Sequence, residues 1–309
     1  MRVVFMGSAP FSVPVLERLT GGGRLVAAVF TQPDRPSGRG RAPAPSAVKR
    51  EAVARGIEVF QPEGLRGQEA AGALARLRPD VIVVAAYGLL LPPEVLGLPP
   101  CGCLNVHPSL LPRHRGPSPI QWAILEGDEW SGVTVMLMDA GMDTGPIVAQ
   151  RPVAVAADDT ALTLGGRLAQ EGAQLLEETL PRWCDGAIEA VPQPDEGVTY
   201  TRPLVKEDGL LDWGLSAVEL GRRVRAFHPW PGCHTRWQGK VLKVIAALPE
   251  PGGQGRPGEV LPLPGGGIGV QTASGVLRLE RVQREGGREV DAAEFARGQR
   301  GLVGAVLPA

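Results

Sequence analysis

Apolar residues recur along this chain in two rhythms. Up to about residue 190, short unbroken apolar runs alternate with longer stretches of helical period. Arg2–Met6 and Leu25–Thr31 read as buried strands. Between them Ser12 is placed to cap a helix that stops at Gly21-Gly22-Gly23. Ser46–Arg55, with Gly56 as its stop, and Ala70–Leu77 read as helices. Asp80–Tyr87, DVIVVAAY, is a continuous apolar run of the kind that lies in a parallel sheet covered on both faces. Cys103–Val106, Val133–Met138 and Ile147–Val155 are further strands, and Ile120–Leu125 and Leu162–Trp183 are helices. Strands alternating with helices predict an α/β domain over residues 1–190 with a doubly wound, mostly parallel, Rossmann-like sheet.

Beyond residue 190 the rhythm changes. The segment 191–206 is rich in proline and polar residues and reads as a linker. Residues 207–309 open with one helix, Ser216–Phe227. Short strands separated by Gly/Pro turns follow at Thr235–Trp237, Val241–Ala247, Gly258–Leu263, Gly267–Thr272 and Val276–Val282. That spacing predicts a small OB-like β-barrel.

The chain has 309 residues, enough for two domains, and a net charge of only −1, so no global field marks it for nucleic acid or membrane. From Lys206 onward, however, 14 Lys+Arg stand against 11 Asp+Glu, a surplus of three. The N-terminus runs straight into a strand with no apolar signal-peptide core, and no apolar run reaches the roughly 20 residues of a membrane helix. Four cysteines without a CxxC pair fit free thiols in a cytoplasmic protein. A monomer is the simpler expectation.

The densest polar constellation is Asn105-Val106-His107-Pro108-Ser109-Leu110-Leu111-Pro112-Arg113-His114-Arg115-Gly116, which follows a strand. In open α/β sheets, sites lie beyond the carboxyl ends of strands. Asn105 and His107 are two apart, so an extended backbone sends both side chains to one side. Asn105 is the sole asparagine, and His107 is one of four histidines. An amide that donates without titrating, beside an imidazole that exchanges a proton near neutrality, suits an acyl transfer in which an oxyanion develops. Asp143, in the turn Asp139–Gly145, is placed to orient His107.

Two competing chemistries fit less well. His107 and His114 are separated by Pro108 and Pro112, which break any helix that would align them on a metal, and no HExxH spacing exists. The first strand–turn–helix, Gly7–Ser12, carries a single glycine rather than GxGxxG, so it is no dinucleotide fingerprint. The segment Thr31–Arg50 holds Arg35, Arg39, Arg41, Lys49 and Arg50 against one acid, Asp34. It reads either as a solvated loop or as a grip for RNA phosphates.

With these motifs in view, the chain resembles the methionyl-tRNA formyltransferase family nearly end to end. The resemblance is carried by TQPDRPSGRG (Thr31–Gly40), VAAYGLLLP (Val84–Pro92), NVHPSLLPRHRGPSPIQ (Asn105–Gln121), GVTVMLMDAGMDTGPI (Gly132–Ile147) and FHPWPG (Phe227–Gly232). It implies a catalytic triad of Asn105, His107 and Asp143, with direct attack by the amine, an oxyanion stabilised by Asn105 and His107, and Asp143 in support. It implies 10-formyltetrahydrofolate as co-substrate, held by Ser109, Leu110, Leu111 and Pro112, with Tyr87, Gly88 and Leu89 lining the same pocket, and no metal. It implies initiator methionyl-tRNA as partner, gripped by Arg35, Arg39 and Arg41 and by the C-terminal barrel. Two alternatives stay open: a formyltransferase for another amine, or a non-catalytic tRNA-binding protein on the same fold.

Overall fold

The computed structural model of the chain describes residues 1–37 and 42–308. Two compact units form. One comprises Met1–Pro119, Trp130–Ala154 and Gly165–Arg202; the other comprises Ile120–Glu129, Val155–Leu164 and Pro203–Ala309.

In chain order the strands of the first unit are β1 (Arg2–Gly7), β2 (Leu25–Phe30), the short pair β3 (Arg35–Ser37) and β4 (Ala42–Ala44), β5 (Val59–Phe60), β6 (Val81–Ala85), β7 (Cys103–His107), β8 (Trp130–Leu137) and β9 (Ile147–Ala154). Its helices include α1 (Val13–Gly21), α2 (Ala47–Ala54), α3 (Gln68–Leu77) and α4 (Pro93–Leu96). Next come α5 (Pro119–Glu126), which continues into the second unit, and α6 (Ala161–Cys184), which starts there and returns to the first. The sheet runs β5-β2-β1-β6-β7-β8-β9. The first five of these pair in parallel, and β8 and β9 add on antiparallel.

The buried apolar runs explain this arrangement. All five residues of β6 and all five of β7 are buried, as strands covered on both faces must be. Alternate residues Val4, Met6, Ala28, Phe30, Ile82 and Val84 share one face with Leu74 of α3 and Val95 of α4. On the other face α6 lies so close that a Cβ on Gly172 would come within 2.8 Å of Val106 Cγ1. Fully burying each such Val, Leu, Ile or Phe is worth about 1.5–3 kcal/mol, so these faces anchor the carboxyl ends of the strands firmly.

Local signals work unevenly. Ser46 caps α2 by accepting from Lys49 N at 3.0 Å. Ser12 makes no capping bond to α1; its hydroxyl donates to Ala85 O and stitches the helix start to the end of β6.

In the second unit the helix α7 (Ala217–Ala226) is opened by a capping box between Ser216 and Glu219 and buries Leu220 and Val224. It precedes β10 (Cys233–Trp237), β11 (Lys240–Glu250), β12 (Val260–Pro262), β13 (Ile268–Gln271), β14 (Val276–Arg284) and β15 (Glu289–Asp291), with α8 (Ala292–Arg297) after them. These strands form an antiparallel sheet, β10-β11-β14-β13-β12, with β15 on β14. Register shifts beside Ala246 bend β11. The barrel expected here is a curled half-barrel, because among the described residues the path ends at β12 without returning to β10.

Candidate active site

Asn105 and His107 lie at the carboxyl end of β7, where the sheet changes from parallel to antiparallel neighbours. Both are buried, at 8% and 4% exposure. Asp143 reaches them from the turn between β8 and β9. Its Oδ1 stands 3.5 Å from Asn105 Nδ2 and 3.7 Å from His107 Nδ1, while its Oδ2 accepts from Gly116 N at 2.8 Å. The backbone of Asp143 is left-handed, φ 54°. The three residues expected to form a triad are therefore brought together.

His107 Nε2 is 3.0 Å from His114 O. A carbonyl only accepts, so Nε2 carries the proton. Nδ1 is then the atom turned toward Asp143. Such a histidine is suited to take up a proton beside a carboxylate that balances the resulting charge. The sequence had assigned it no tautomer.

The segment after β7 is held by side chains of the antiparallel strands. Thr134 Oγ1 donates to Ser109 O at 2.6 Å and accepts from Leu111 N at 3.2 Å. Gln150 Nε2 donates to Leu111 O at 2.8 Å. Ser109 donates from Oγ to Arg113 O at 2.7 Å, and the Leu111–Pro112 peptide is cis. Ser109 and Leu111 are buried, whereas Leu110 and Pro112 are half-buried. The Tyr87-Gly88-Leu89 turn follows β6, the strand beside β7. Its Tyr87 carbonyl accepts from Gln32 Nε2 at 3.1 Å and Ser8 Oγ at 3.2 Å. Gly88 has φ 79°, and a Cβ there would run into Gln32 Nε2, so the turn requires glycine. Tyr87 itself points its phenol into the core, where burial pushes its pKa up to about 12.

Sequence reasoning missed the residues that brace Asp143 and the segment after β7. Gln193, in the stretch expected to be linker, donates from Nε2 to both Asp143 O and Gly145 O at 2.8 Å. Its Oε1 accepts from Arg115 Nη2 at 2.7 Å. Thr199 Oγ1 accepts from His114 N at 2.8 Å, and Thr201 Oγ1 accepts from Ser118 N at 3.1 Å. No periodicity announces such contacts, since isolated polar side chains make them across 48 or more positions.

Arg35 is exposed at the root of an arm in which β3 and β4 pair antiparallel, Arg35 with Ala44. Arg39 and Arg41 fall outside the described residues. The root is anchored by Asp34, which meets Lys49 Nζ at 2.7 Å and Gln61 Nε2 at 2.8 Å. Among the described residues, no group of three or more His, Cys, Asp and Glu is placed to hold a metal ion, and no helix is long and apolar enough to cross a membrane.

A doubly wound sheet with Asn and His at a strand end and an Asp reaching them from a neighbouring turn, followed by a curled antiparallel sheet, defines a formyl transferase. The family model for formyl transferases matches residues 1–180, and that for their C-terminal domain matches residues 203–300. The methionyl-tRNA formyltransferase of Dehalococcoides mccartyi is 45% identical over 312 residues, covering 99% of this chain and 98% of that one. Its counterpart in Chromobacterium violaceum is 46% identical over 300 residues, covering 97% of each. The chain belongs to the methionyl-tRNA formyltransferase family. Among solved structures, the fold is shared with the sugar 3N-formyl transferase WlaRD, solved with dTDP and 5-N-formyl-THF. The TM-score is 0.67 at 16% identity, over 92% of this chain and 97% of that one. HypX of Aquifex aeolicus, solved with tetrahydrofolic acid, matches with TM-score 0.64 at 20% identity. It aligns with 99% of this chain, which spans 48% of HypX.

Proposed function

We propose that this chain transfers the formyl group of 10-formyltetrahydrofolate to the α-amino group of initiator methionyl-tRNA. The observation that carries the reading is the convergence of Asn105, His107 and Asp143 at the end of β7, in a chain whose full-length relatives bear that enzyme's name. The folate supplies an activated formyl carbon. Ser109–Pro112 and Tyr87–Leu89 would hold it, because both segments follow the neighbouring strands β7 and β6 and present half-buried apolar side chains, Leu110 and Leu89, beside backbone polar groups.

The residues divide the work as their geometry dictates. Asn105 Nδ2 makes only a long 3.5 Å contact with Asp143, so its N–H remains available to a developing oxyanion. His107 takes the amine proton on Nδ1 as the new C–N bond forms and returns it to the departing nitrogen. Asp143 stabilises the imidazolium in between, and Gly116 N holds the carboxylate in place. Arg35, Arg39 and Arg41 would contact RNA phosphates from the arm. The enzyme would act as a monomer in the cytoplasm, a reducing compartment that fits its four free thiols.

The test supplies labelled 10-formyl- or 5-formyltetrahydrofolate with methionyl-tRNA and identifies the amino acid released by mild alkali. N-Formylmethionine formed from the 10-formyl donor supports the reading. Methionine left unmodified by both donors refutes it.

A further inference from the structure

A concavity opens at the carboxyl ends of β2 and β5, in the same unit as Asn105, His107 and Asp143 but lined by other residues. Its volume is about 560 Å³, within the roughly 300–1,000 Å³ of small-molecule sites. Phe30 and Phe60 both line it, and their rings stack with centroids 4.8 Å apart and 12° from parallel. Phe30 is buried and Phe60 half-buried, so Phe60 supplies most of the accessible aromatic surface. Gln61, Glu63, Arg66 and Arg76 supply its polar and charged side chains. Both arginines are exposed, and no ion pair joins either to a described residue. The Gln61 amide spends its Nε2 on Gln32 O at 3.0 Å and on Asp34 Oδ1, which leaves Oε1 as an acceptor.

This set of groups has a definite complement. A flat apolar ring favours a stacked nucleobase, which any base can offer through its π face. A neutral acceptor beside it suits an exocyclic amine. Two unpaired guanidiniums suit a phosphate. Glu63 repels phosphate but accepts from a ribose hydroxyl, which orients the ligand. Gln61 also bonds Asp34, which precedes the paired strands β3 and β4, so the cavity and Arg35 share one root.

We propose that this cavity binds one nucleotide of the single-stranded end of the RNA substrate, base on Phe60 and phosphate on Arg66 and Arg76. The RNA as source rests on the function proposed above. The cavity then reads the substrate at the β5 edge of the sheet, away from the reacting amine at β7.

The experiment measures binding by the full-length protein of a fluorescent acceptor-stem minihelix with a single-stranded 3′ end, of free AMP and CMP, and of 10-formyltetrahydrofolate. Wild type is compared with Arg66→Glu/Arg76→Glu and with Phe60→Leu, each checked by thermal melting. The double variant changes only exposed side chains, so its fold is expected intact. The proposal expects the minihelix Kd to rise at least about 10-fold in the double variant and about 3-fold or more in Phe60→Leu. Its dependence on log salt should flatten by roughly 0.7 for each phosphate that the variant no longer neutralises, and folate binding should be unchanged. An unaltered minihelix Kd in a folded double variant overturns the proposal, as does a loss confined to folate. Free AMP or CMP bound as tightly as the minihelix, through the same residues, overturns the RNA assignment. Wild type that binds the minihelix through these residues but transfers no formyl group refutes the proposed function and leaves the site standing.

Discussion

Asn105 is the residue whose replacement discriminates most sharply, because two substitutions separate its donor from its shape. In Asn105→Ala the N–H is gone. A preorganised oxyanion donor is worth about 2.7–4 kcal/mol, so kcat should fall about 10²–10³-fold at every pH. Stability should change little, since the only described bond of this side chain is the 3.5 Å contact with Asp143. Asn105→Asp keeps the shape and substitutes a carboxyl group at the same distance from Asp143 Oδ1. Two ionised carboxylates about 3.5 Å apart repel by roughly 4–5 kcal/mol at an effective dielectric of 20. That is equivalent to roughly 3 pH units on the proton shared by the pair. The variant should therefore be nearly inert above neutrality. It should recover part of its rate as pH falls, when the protonated carboxyl again offers a donor. The assay is single-turnover formyl transfer between pH 5.5 and 8.5 with saturating substrates. A near wild-type rate in Asn105→Ala, or a flat pH profile in Asn105→Asp, would refute the donor role.

Three further outcomes follow from the same geometry. Thr134→Val keeps the shape but strips partners from the buried Ser109 O and Leu111 N, at about 1–3 kcal/mol each, so denaturant unfolding should show a loss of about 2–6 kcal/mol; a loss under 1 kcal/mol would contradict the bracing role. Gln193→Ala frees the Asp143–Gly145 turn, and kcat should drop about 10–100-fold from misplacement of the carboxylate, with faster amide exchange across the turn; unchanged kcat would mean that Asp143 holds its place alone. Hydrogen bonds from Lys49 and Gln61 hold the Asp34 carboxyl below its usual range, so the anchoring is complete above the unfolded value, about 3.9, and is lost as pH falls through the lower folded one. Exchange at the arm root should accelerate below about pH 4 in wild type, and Asp34→Asn should remove that dependence.

What the sequence disclosed tracks the physics that shapes each element. The long apolar runs of β6 and β7 are visible because strands buried on both faces have almost no polar alternatives. Asn105 and His107 stand out because two hydrogen-bonding side chains interrupt such a run at its carboxyl end. The two residues of β5 and the four of α4 are too short to show a period. The pairing of Arg35–Ser37 with Ala42–Ala44 is hidden by its prolines, which read as irregular loop but are tolerated in a two-stranded ribbon without further neighbours. Gln193, Thr199 and Thr201 were invisible for another reason. Their segment reads as linker by composition, and their role exists only once the chain has folded back, Gln193 on the Asp143 turn and the two threonines on His114 and Ser118. The tautomer of His107 likewise depends on a backbone carbonyl seven residues away.

The central claim is that the amine of methionyl-tRNA, and no other, receives the formyl group at this site. The most direct measurement is single-turnover transfer from radiolabelled 10-formyltetrahydrofolate with initiator methionyl-tRNA, free methionine and glycinamide ribonucleotide as rival acceptors. The account predicts label on methionyl-tRNA alone, and its loss in Asn105→Ala. Label on glycinamide ribonucleotide or free methionine, or released as formate, would contradict it.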